Sequence, residues 1–358
     1  MTESSASPFS PDYATARRRF LENSKALGAR IDSIPIDATG PEGLPLSIDI
    51  AQFGSPNPSR VLLHCSGIHG VEGFAGSAIQ LQLLQTLPNI PEGAAIVFVH
   101  IINPFGMSWQ RRVNESNVDL NRNFLPQGED YSGVPEAYTA LNPMLNPESE
   151  PRFDFFLLRT LGSIGKHGYN TLKQAIVGGQ YGFPKGLFYG GREKEQGPQR
   201  YQDWLAKNLG SAKSVVAIDI HTGLGKSGQD TLLVEGGPGD RLYDELQATF
   251  GDRVAPWDPE ESVAYAIRGG HSDGVNQALP EATVHFVTQE FGTLAPLKVL
   301  HALREENRWH HHGQGTLSHP AKKGLLNAFR PNSEKWRTAV LKRGQELAEQ
   351  AYTLAFEN

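Results

Sequence analysis

A histidine and a glutamate three residues apart, His69 and Glu72, stand in a segment that otherwise consists mostly of glycine and small residues, SGIHGVEGFAGS (66–77). A hydrophobic core has little use for an imidazole and a carboxylate there, whereas a metal ion binds both. Catalytic zinc takes three protein ligands and keeps one position open, and two histidines with one glutamate are among its usual ligand sets. A His-x-x-Glu pair is weak evidence by itself. If this pair binds catalytic zinc, a third ligand must lie elsewhere in the chain.

His221 is the candidate for this third ligand, because it ends the apolar run SVVAIDIH (214–221) and is followed by the flexible segment TGLG. Three other histidines lie inside apolar runs, where a hydrogen-bonded core histidine is the better interpretation: His64, His100 and His285. The adjacent histidines 310–312 are poorly placed to converge on one ion, and His271 is a loop residue without a partner signature. The sequence therefore favours His221.

The segment RRVNESNVDLNRNF (111–124) brings arginines, asparagines and an aspartate together between apolar residues. Arginine presents a rigid fork of donors that suits a carboxylate or a developing oxyanion. Asp119 could accept the free ring N–H of a zinc-bound histidine, a contact that ligating histidines usually make. A solvated polar turn is the structural alternative for this segment.

Glu290, in VTQEFGT, follows another apolar run and is expected at a strand end. A carboxylate that is partly removed from water can serve as a general base. A capping or salt-bridged glutamate is the alternative, and it would be preferred if the other segments were absent.

Four apolar runs rich in β-branched residues are predicted to be strands buried on both faces, and they span 60–67, 94–102, 214–221 and 282–290. Residues 73–87 and the last thirty or so residues have helical spacing. The predicted fold is α/β: a three-layer sandwich with a mixed, mostly parallel sheet and helices on both faces. His69 and Glu72 then lie just past a strand end, at the start of the following helix.

Composition excludes several classes of function. The net charge of −6 over 358 residues provides no broad cationic surface, so neither nucleic acid nor a membrane is an expected partner. The single cysteine, Cys65, excludes an intramolecular disulfide. No signal peptide and no membrane-spanning segment can be identified. We therefore expect a soluble, cytoplasmic protein with one domain over 1–358, and its oligomeric state stays open.

The segments GIHGVEG and NVDLNRNF, followed by a histidine and then a glutamate at strand ends, resemble in their order the zinc metallocarboxypeptidase superfamily, peptidase family M14. The resemblance extends to its deacylase relatives, the aspartoacylase and succinylglutamate desuccinylase group. It is greatest to the M14-like bacterial branch that carries DUF2817. It spans residues 60–293, with DLNRNF as its most specific element.

This resemblance implies one zinc ion per chain, bound by His69, Glu72 and His221. It implies that Glu290 is the general base and acid. It also implies that Asp119 is the hydrogen-bond partner of the first zinc histidine.

The resemblance further implies that Asn121 and Arg122 bind the substrate carboxylate, and Arg111 is expected among the substrate-binding residues as well. The arginine that stabilises the oxyanion is expected upstream of DLNRNF, where Arg112 fits best and Arg111 is the alternative. The tyrosine that caps the substrate in this superfamily has three loop candidates, Tyr181, Tyr189 and Tyr265.

The implied function is hydrolysis of an amide bond next to a free carboxylate in a peptide or small molecule, in the manner of a metallocarboxypeptidase. The alternatives are an N-acyl amino acid deacylase of the aspartoacylase type and a non-catalytic protein that binds zinc or a peptide. A dinucleotide site at GLGKSG (223–228) is disfavoured, because strand-like residues follow it where a pyrophosphate needs a helix.

The segment 125–199, rich in proline, glycine and aromatic residues, is predicted to form long loops over one end of the sheet. The shape of this segment would distinguish a carboxypeptidase from an N-acyl amino acid deacylase. A small closed cavity favours a deacylase, and an open groove favours an exopeptidase.

Overall fold

Eight strands form one sheet in the computed structural model, which describes residues 7–257 and 267–357. The strands are β1 (Arg30–Thr39), β2 (Pro45–Gly54), β3 (Arg60–Ser66), β4 (Ala94–His100), β5 (Ser214–Gly223), β6 (Asp230–Val234), β7 (Val254–Pro256) and β8 (Thr283–Gly292). Their spatial order is β1-β2-β4-β3-β5-β8-β6-β7. The four predicted strands are β3, β4, β5 and β8, and their bounds differ from the prediction by no more than about two residues.

The four central strands β4, β3, β5 and β8 run parallel to one another, whereas the pairs β1–β2, β2–β4 and β6–β8 are antiparallel. Strands covered on both faces read as continuous apolar runs, which is why the central strands could be recognised in the sequence. In the register of β5 and β8, His221 stands beside Glu290, so both side chains belong to the same end of the sheet. The predicted mixed sheet is confirmed.

Helices cover both faces of the sheet. They are α1 (Tyr13–Ala26), α2 (Gly73–Leu83), α3 (Pro104–Ser108), α4 (Glu136–Leu145), α5 (Phe156–His167), α6 (Tyr169–Val177), α7 (Gln196–Leu209), α8 (Arg241–Phe250), α9 (His271–Ala278), α10 (Pro296–His312), α11 (Pro320–Phe329) and α12 (Glu334–Phe356). Alternate side chains of β3 and β5 enter two different core clusters, one with α7 and α9, the other with α8 and α12. The three-layer sandwich is therefore confirmed. No helix in the described part of the chain is long and apolar enough to cross a membrane.

The prediction of long loops over 125–199 is wrong in part, because α4, α5, α6 and the start of α7 lie within this segment. The first three of these helices pack with α10 and α11 in a third apolar cluster that includes Phe156, Ile176 and Leu303. Short helices of mixed sequence gain most of their stability from such tertiary packing, which local residue spacing does not reveal.

Candidate metal centre

The loop after β3 places His69 and Glu72 through a close approach between two backbone segments. A Cβ on Gly70 would lie 2.1 Å from the carbonyl carbon of Gly106, so only glycine fits there. The amide of Gly70 also donates to the carbonyl of Arg112, at 3.1 Å. Glu72 follows at the end of one 3₁₀ turn, directly before α2. Both side chains are thereby held in the interior, 2% and 1% exposed.

Three potential ligands meet at the carboxyl ends of β3 and β5. One ligand atom from each of His69, Glu72 and His221 lies within 4.8 Å of the other two. Nδ1 of His69 is 3.0 Å from Oε1 of Glu72, and Nδ1 of His221 is 3.3 Å from Oε2 of the same carboxylate. The structure thus brings together the three residues that the sequence suggested as metal ligands.

Two buried aspartates fix the orientation of both imidazoles. Nε2 of His69 is 3.0 Å from Oδ1 of Asp119, and Nε2 of His221 is 2.9 Å from Oδ2 of Asp219. Because an ionised carboxylate can only accept, each Nε2–H donates and each Nδ1 keeps its lone pair for the shared space. Nδ1 of His69 is buried and makes no hydrogen bond, which a bound cation would explain.

Asp219 was missed in the sequence analysis, although a signal for it exists. It stands two residues before His221 on β5, so both side chains point to the same face of the strand. Asp219 also binds a second histidine: its Oδ2 lies 2.8 Å from Nδ1 of His271, whose Nε2 lies 3.1 Å from the hydroxyl of Tyr201. His271 therefore does have partners, and they come from residues distant in sequence.

The ligand set is strongly anionic. Burial opposes ionisation of Glu72, but the imidazoles of His69 and His221 beside it hold the pKa of this carboxyl group well below its usual range. The pKa of Asp119 and that of Asp219 are likewise held far below normal, against burial, mainly by Arg112 beside Asp119 and by the imidazoles of His271 and His221 beside Asp219. Three ionised carboxylates around two imidazoles favour binding of a divalent cation.

Glu290 differs from these carboxylates. It is 7% exposed, and its Oε1 accepts a hydrogen bond from the amide of Leu224 at 2.9 Å. Burial, together with the negative charge of Glu72, raises the pKa of Glu290 from 4.5 to about 7. A carboxyl group with that pKa can both accept and return a proton near neutral pH.

The two upstream arginines have different surroundings. Arg112 lines the cavity, donating through Nε to Asp119 at 3.0 Å and through Nη1 to Glu72 at 3.1 Å. Arg111 is fully buried and donates through Nε to Glu306 at 3.0 Å. The structure therefore brings Arg112 to the ligand set and places Arg111 in an internal ion pair, which Lys322 also joins.

Asn121 and Arg122 lie close to the cavity but are not part of its wall. Nη1 of Arg122 donates to the Asn121 carbonyl at 2.8 Å, and Nη2 donates to the Val177 carbonyl, at the end of α6, at 2.6 Å. Oδ1 of Asn121 accepts from the amide of His271 at 2.8 Å. In this conformation the Arg122 side chain is fully buried.

Neither Tyr181 nor Tyr189 is found in the cavity wall. The hydroxyl of Tyr181 donates to the Arg122 carbonyl at 2.9 Å, and Tyr189 accepts through its carbonyl from the amide of Asp119 at 2.7 Å. Tyr265 lies outside the described residues. The segment 223–228, considered as a dinucleotide site, connects β5 to β6 without an intervening helix.

The ligand set lines one part of a cavity that opens to solvent; the empty space of the cavity together with the solvent at its mouth is about 840 Å³. Arg112 and Glu290 line it beside the ligands, and α5, α6 and α10 supply much of the remaining wall. A substrate in this cavity can therefore reach a potential metal ion, a titratable carboxyl group and a guanidinium at once.

Solved structures resemble this chain, and the first of those that follow indicates a shared fold. Carboxypeptidase A from Helicoverpa armigera is 13% identical, with 100% of this chain and 78% of that chain covered at a TM-score of 0.50. Bovine thrombin-activatable fibrinolysis inhibitor in complex with tick carboxypeptidase inhibitor is 14% identical, with coverage of 95% and 100% and a TM-score of 0.48. At such identities the similarity concerns the fold alone.

Murein-tripeptide amidase MpaA from Escherichia coli O157 is 15% identical, with 87% of this chain and 99% of that chain covered at a TM-score of 0.37. No curated protein matches the chain. The family model described as "Protein of unknown function (DUF2817)" matches residues 9–343.

Proposed function

The chain belongs to the DUF2817 family, as the sequence predicted, and from this premise we propose that it is a zinc-dependent hydrolase of an amide bond next to a free carboxylate, similar to a metallocarboxypeptidase. The observation that carries the proposal is the convergence of His69, Glu72 and His221 with Glu290 at one end of the sheet, on the wall of one cavity.

The residues present fit zinc better than magnesium or calcium, which prefer shells made only of oxygen atoms. His69 and His221 would hold the ion together with Glu72. Asp119 and Asp219 fix these two imidazoles through their Nε2 atoms. When bound, zinc supplies a Lewis acid that polarises a carbonyl group and acidifies water.

Glu290 is proposed to move the proton in this reaction. Near neutral pH its carboxylate takes a proton from the attacking water and then returns it to the leaving amine. The amide of Leu224 holds Oε1, so Oε2 is the oxygen we assign to proton transfer.

Arg112 is proposed to stabilise the negative charge that develops on the carbonyl oxygen. Its guanidinium is oriented by Asp119 and Glu72 before substrate binds, and such preorganised donors cost no reorganisation during the reaction.

Asn121 and Arg122 are proposed to bind the substrate carboxylate. Nη2 of Arg122 donates to the Val177 carbonyl, so the carboxylate would replace that carbonyl as its acceptor. Since Val177 is the last residue of α6 and lines the cavity, a small displacement of this helix end would connect Arg122 with the substrate.

Metal analysis combined with a substrate screen tests the proposal. We expect about one zinc ion per chain, loss of amide hydrolysis on chelation, and recovery with zinc. The screen contains both peptides with free C-termini and N-acyl amino acids. His221→Ala is expected to lose zinc and activity, whereas the control His312→Ala, outside the site, keeps both.

A protein that binds zinc stoichiometrically but cleaves no amide in either substrate class would support the non-catalytic alternative. Full zinc content in His221→Ala would contradict the assigned ligand set.

A further inference from the structure

The cavity wall beyond the metal ligands is largely apolar. Three helices supply most of it, and their lining residues include Ile164, Leu172, Ile176, Leu297, Leu300 and Leu303. Among the lining residues that the structure describes, the charged ones besides the ligand set are Arg112, Glu290 and Lys173. We call the part of the cavity enclosed by α5, α6 and α10 the apolar chamber.

The apolar wall lies in the same cavity as the ligand set, Arg112 and Glu290. An amide group and a neighbouring carboxylate need polar partners, and these are found around Glu290 and Arg112. The apolar chamber would therefore contact a further part of the substrate, and that part must be apolar.

Helix α5 continues this apolar character to the protein surface. Ile164 lines the cavity, whereas Leu158 and Leu161 on the same helix are 66% and 53% exposed. Phe153 and Phe155, just before the helix, are 83% and 58% exposed. Several exposed apolar side chains on one segment that also lines a cavity are typical of proteins that meet apolar or amphiphilic ligands. The side chain of a peptide residue would need the chamber but not this surface.

We infer that the substrate is an amphiphilic N-acyl amino acid, whose long hydrocarbon chain lies in the apolar chamber while its amide carbonyl lies beside the metal ligands. This inference rests on the proposed function and specifies its substrate class. Water adds to the amide carbonyl, the C–N bond breaks, and the amine leaves with the proton returned by Glu290. The products are a fatty acid and a free amino acid.

Hydrolysis by the zinc-loaded protein gives the first test. The substrates are N-acetyl, N-octanoyl and N-myristoyl derivatives of glycine and of glutamate, all below their micelle-forming concentrations. We expect kcat/KM to rise with chain length, by about fourfold for each methylene group that becomes buried. Equal rates along the series, or a preference for a peptide with a C-terminal phenylalanine, would overturn the inference and leave the proposed function intact.

Binding to the metal-free protein gives a second readout that does not depend on catalysis. Titration calorimetry with the same compounds is expected to show affinity that increases with chain length. If the myristoyl compounds bind but no amide is cleaved after zinc loading, the proposed function fails and the chamber assignment stands. Absence of binding by every long-chain compound would overturn the assignment.

Two substitutions test where the hydrocarbon chain of the substrate binds. Ile164→Ser places a hydroxyl on the chamber wall and is expected to lower kcat/KM for the myristoyl substrate at least tenfold, with little effect on the acetyl substrate. Leu27→Ser is the matched control, since Leu27 is an exposed leucine (47%) at the end of α1. A tenfold loss with Leu27→Ser, or unchanged selectivity with Ile164→Ser, would contradict the chamber.

Leu158→Ser tests the exposed face of α5. It is expected to lower kcat/KM for the myristoyl substrate several-fold when the substrate is presented in phosphatidylcholine vesicles. An unchanged rate from vesicles would show that this surface does not take part.

Discussion

At the scale of single residues, Glu290 decides whether this protein is an enzyme or only binds metal. Glu290→Gln keeps the size and the hydrogen bond from Leu224 but cannot accept a proton. We expect turnover to fall by about 10²–10⁴-fold with zinc still bound. Zinc content, melting temperature and turnover measured on one preparation check this. A folded, zinc-loaded and fully active variant would contradict the proposed role.

The raised pKa of Glu290 also predicts a pH dependence. A base must be deprotonated, and burial together with the charge of Glu72 raises the pKa of Glu290 to about 7 in the metal-free site. We expect kcat/KM to fall as the pH drops through the acidic limb of its profile. Because Glu290 and Glu72 interact, the apparent pKa of this limb belongs to the pair and not to one residue. The residual activity of Glu290→Gln should lack the part of this limb that Glu290 contributes.

Arg111 and Arg112 are adjacent in sequence, but we expect their substitutions to have different effects. Arg111→Met leaves Glu306 with one fewer buried partner and should lower the free energy of unfolding by about 3 kcal/mol, with kcat unchanged in the folded fraction. Arg112→Met should lower kcat/KM at least tenfold, because it removes a preorganised donor from the cavity wall. Denaturant unfolding and kinetics on both variants distinguish them. The reverse pattern would assign the oxyanion to Arg111.

Arg122→Ala tests recognition of the carboxylate. It should weaken substrates with a free carboxylate, whereas a matching amide-blocked substrate should lose little further on mutation. Lys173→Met is the useful comparison, since Lys173 is the other cationic residue of the cavity wall besides Arg112. If only Lys173→Met removes the discrimination between free and blocked substrates, the carboxylate is bound by α6.

At the scale of elements, the loop between β3 and α2 sets the geometry of the metal ligands. Gly70→Ala would place a Cβ against the backbone of Gly106 in α3, so the loop must shift and carry His69 and Glu72 with it. We expect zinc affinity to fall at least tenfold. Gly324→Ala in α11 is the control, because nothing lies within 4 Å of its added Cβ, and helix propensity predicts a small gain in stability. Wild-type zinc affinity in Gly70→Ala would contradict this account of the loop.

At the scale of the whole molecule, two core histidines make stability depend on pH. Burial lowers the pKa of His64 from 6.5 to about 4, and burial with the nearby charge of Arg17 lowers that of His100 to about 3. Both rings are neutral in the folded state, whereas the unfolded chain binds protons below about pH 6.5. The free energy of unfolding should therefore decrease from pH 6.5 towards pH 4, by up to about 3 kcal/mol for each ring.

His100→Gln should make this decrease shallower, and His312→Gln, outside the core, should not. Chemical denaturation of the metal-free protein at several pH values measures the slopes. Parallel curves for the wild type and His100→Gln would show that His100 does not contribute.

The positions of the central strands, and the side chains that follow them, could be predicted from residue patterns alone. Continuous apolar runs are local signals of buried parallel strands, and His69, His221 and Glu290 each stand at the end of such a run. Because the carboxyl ends of parallel strands meet at one edge, their convergence could be inferred without coordinates.

The tertiary fold, and not residue spacing, sets the surroundings of these residues. It gives Arg111 and Arg112 different surroundings: Arg112 lines the cavity, whereas Arg111 pairs with Glu306, which is 195 positions away in the chain. It covered Arg122 with the end of α6, and it built the apolar chamber from helices whose stability depends on packing against α10 and α11. Contacts between distant segments leave no local pattern, so residue spacing specified the ligands but not the shape of the site.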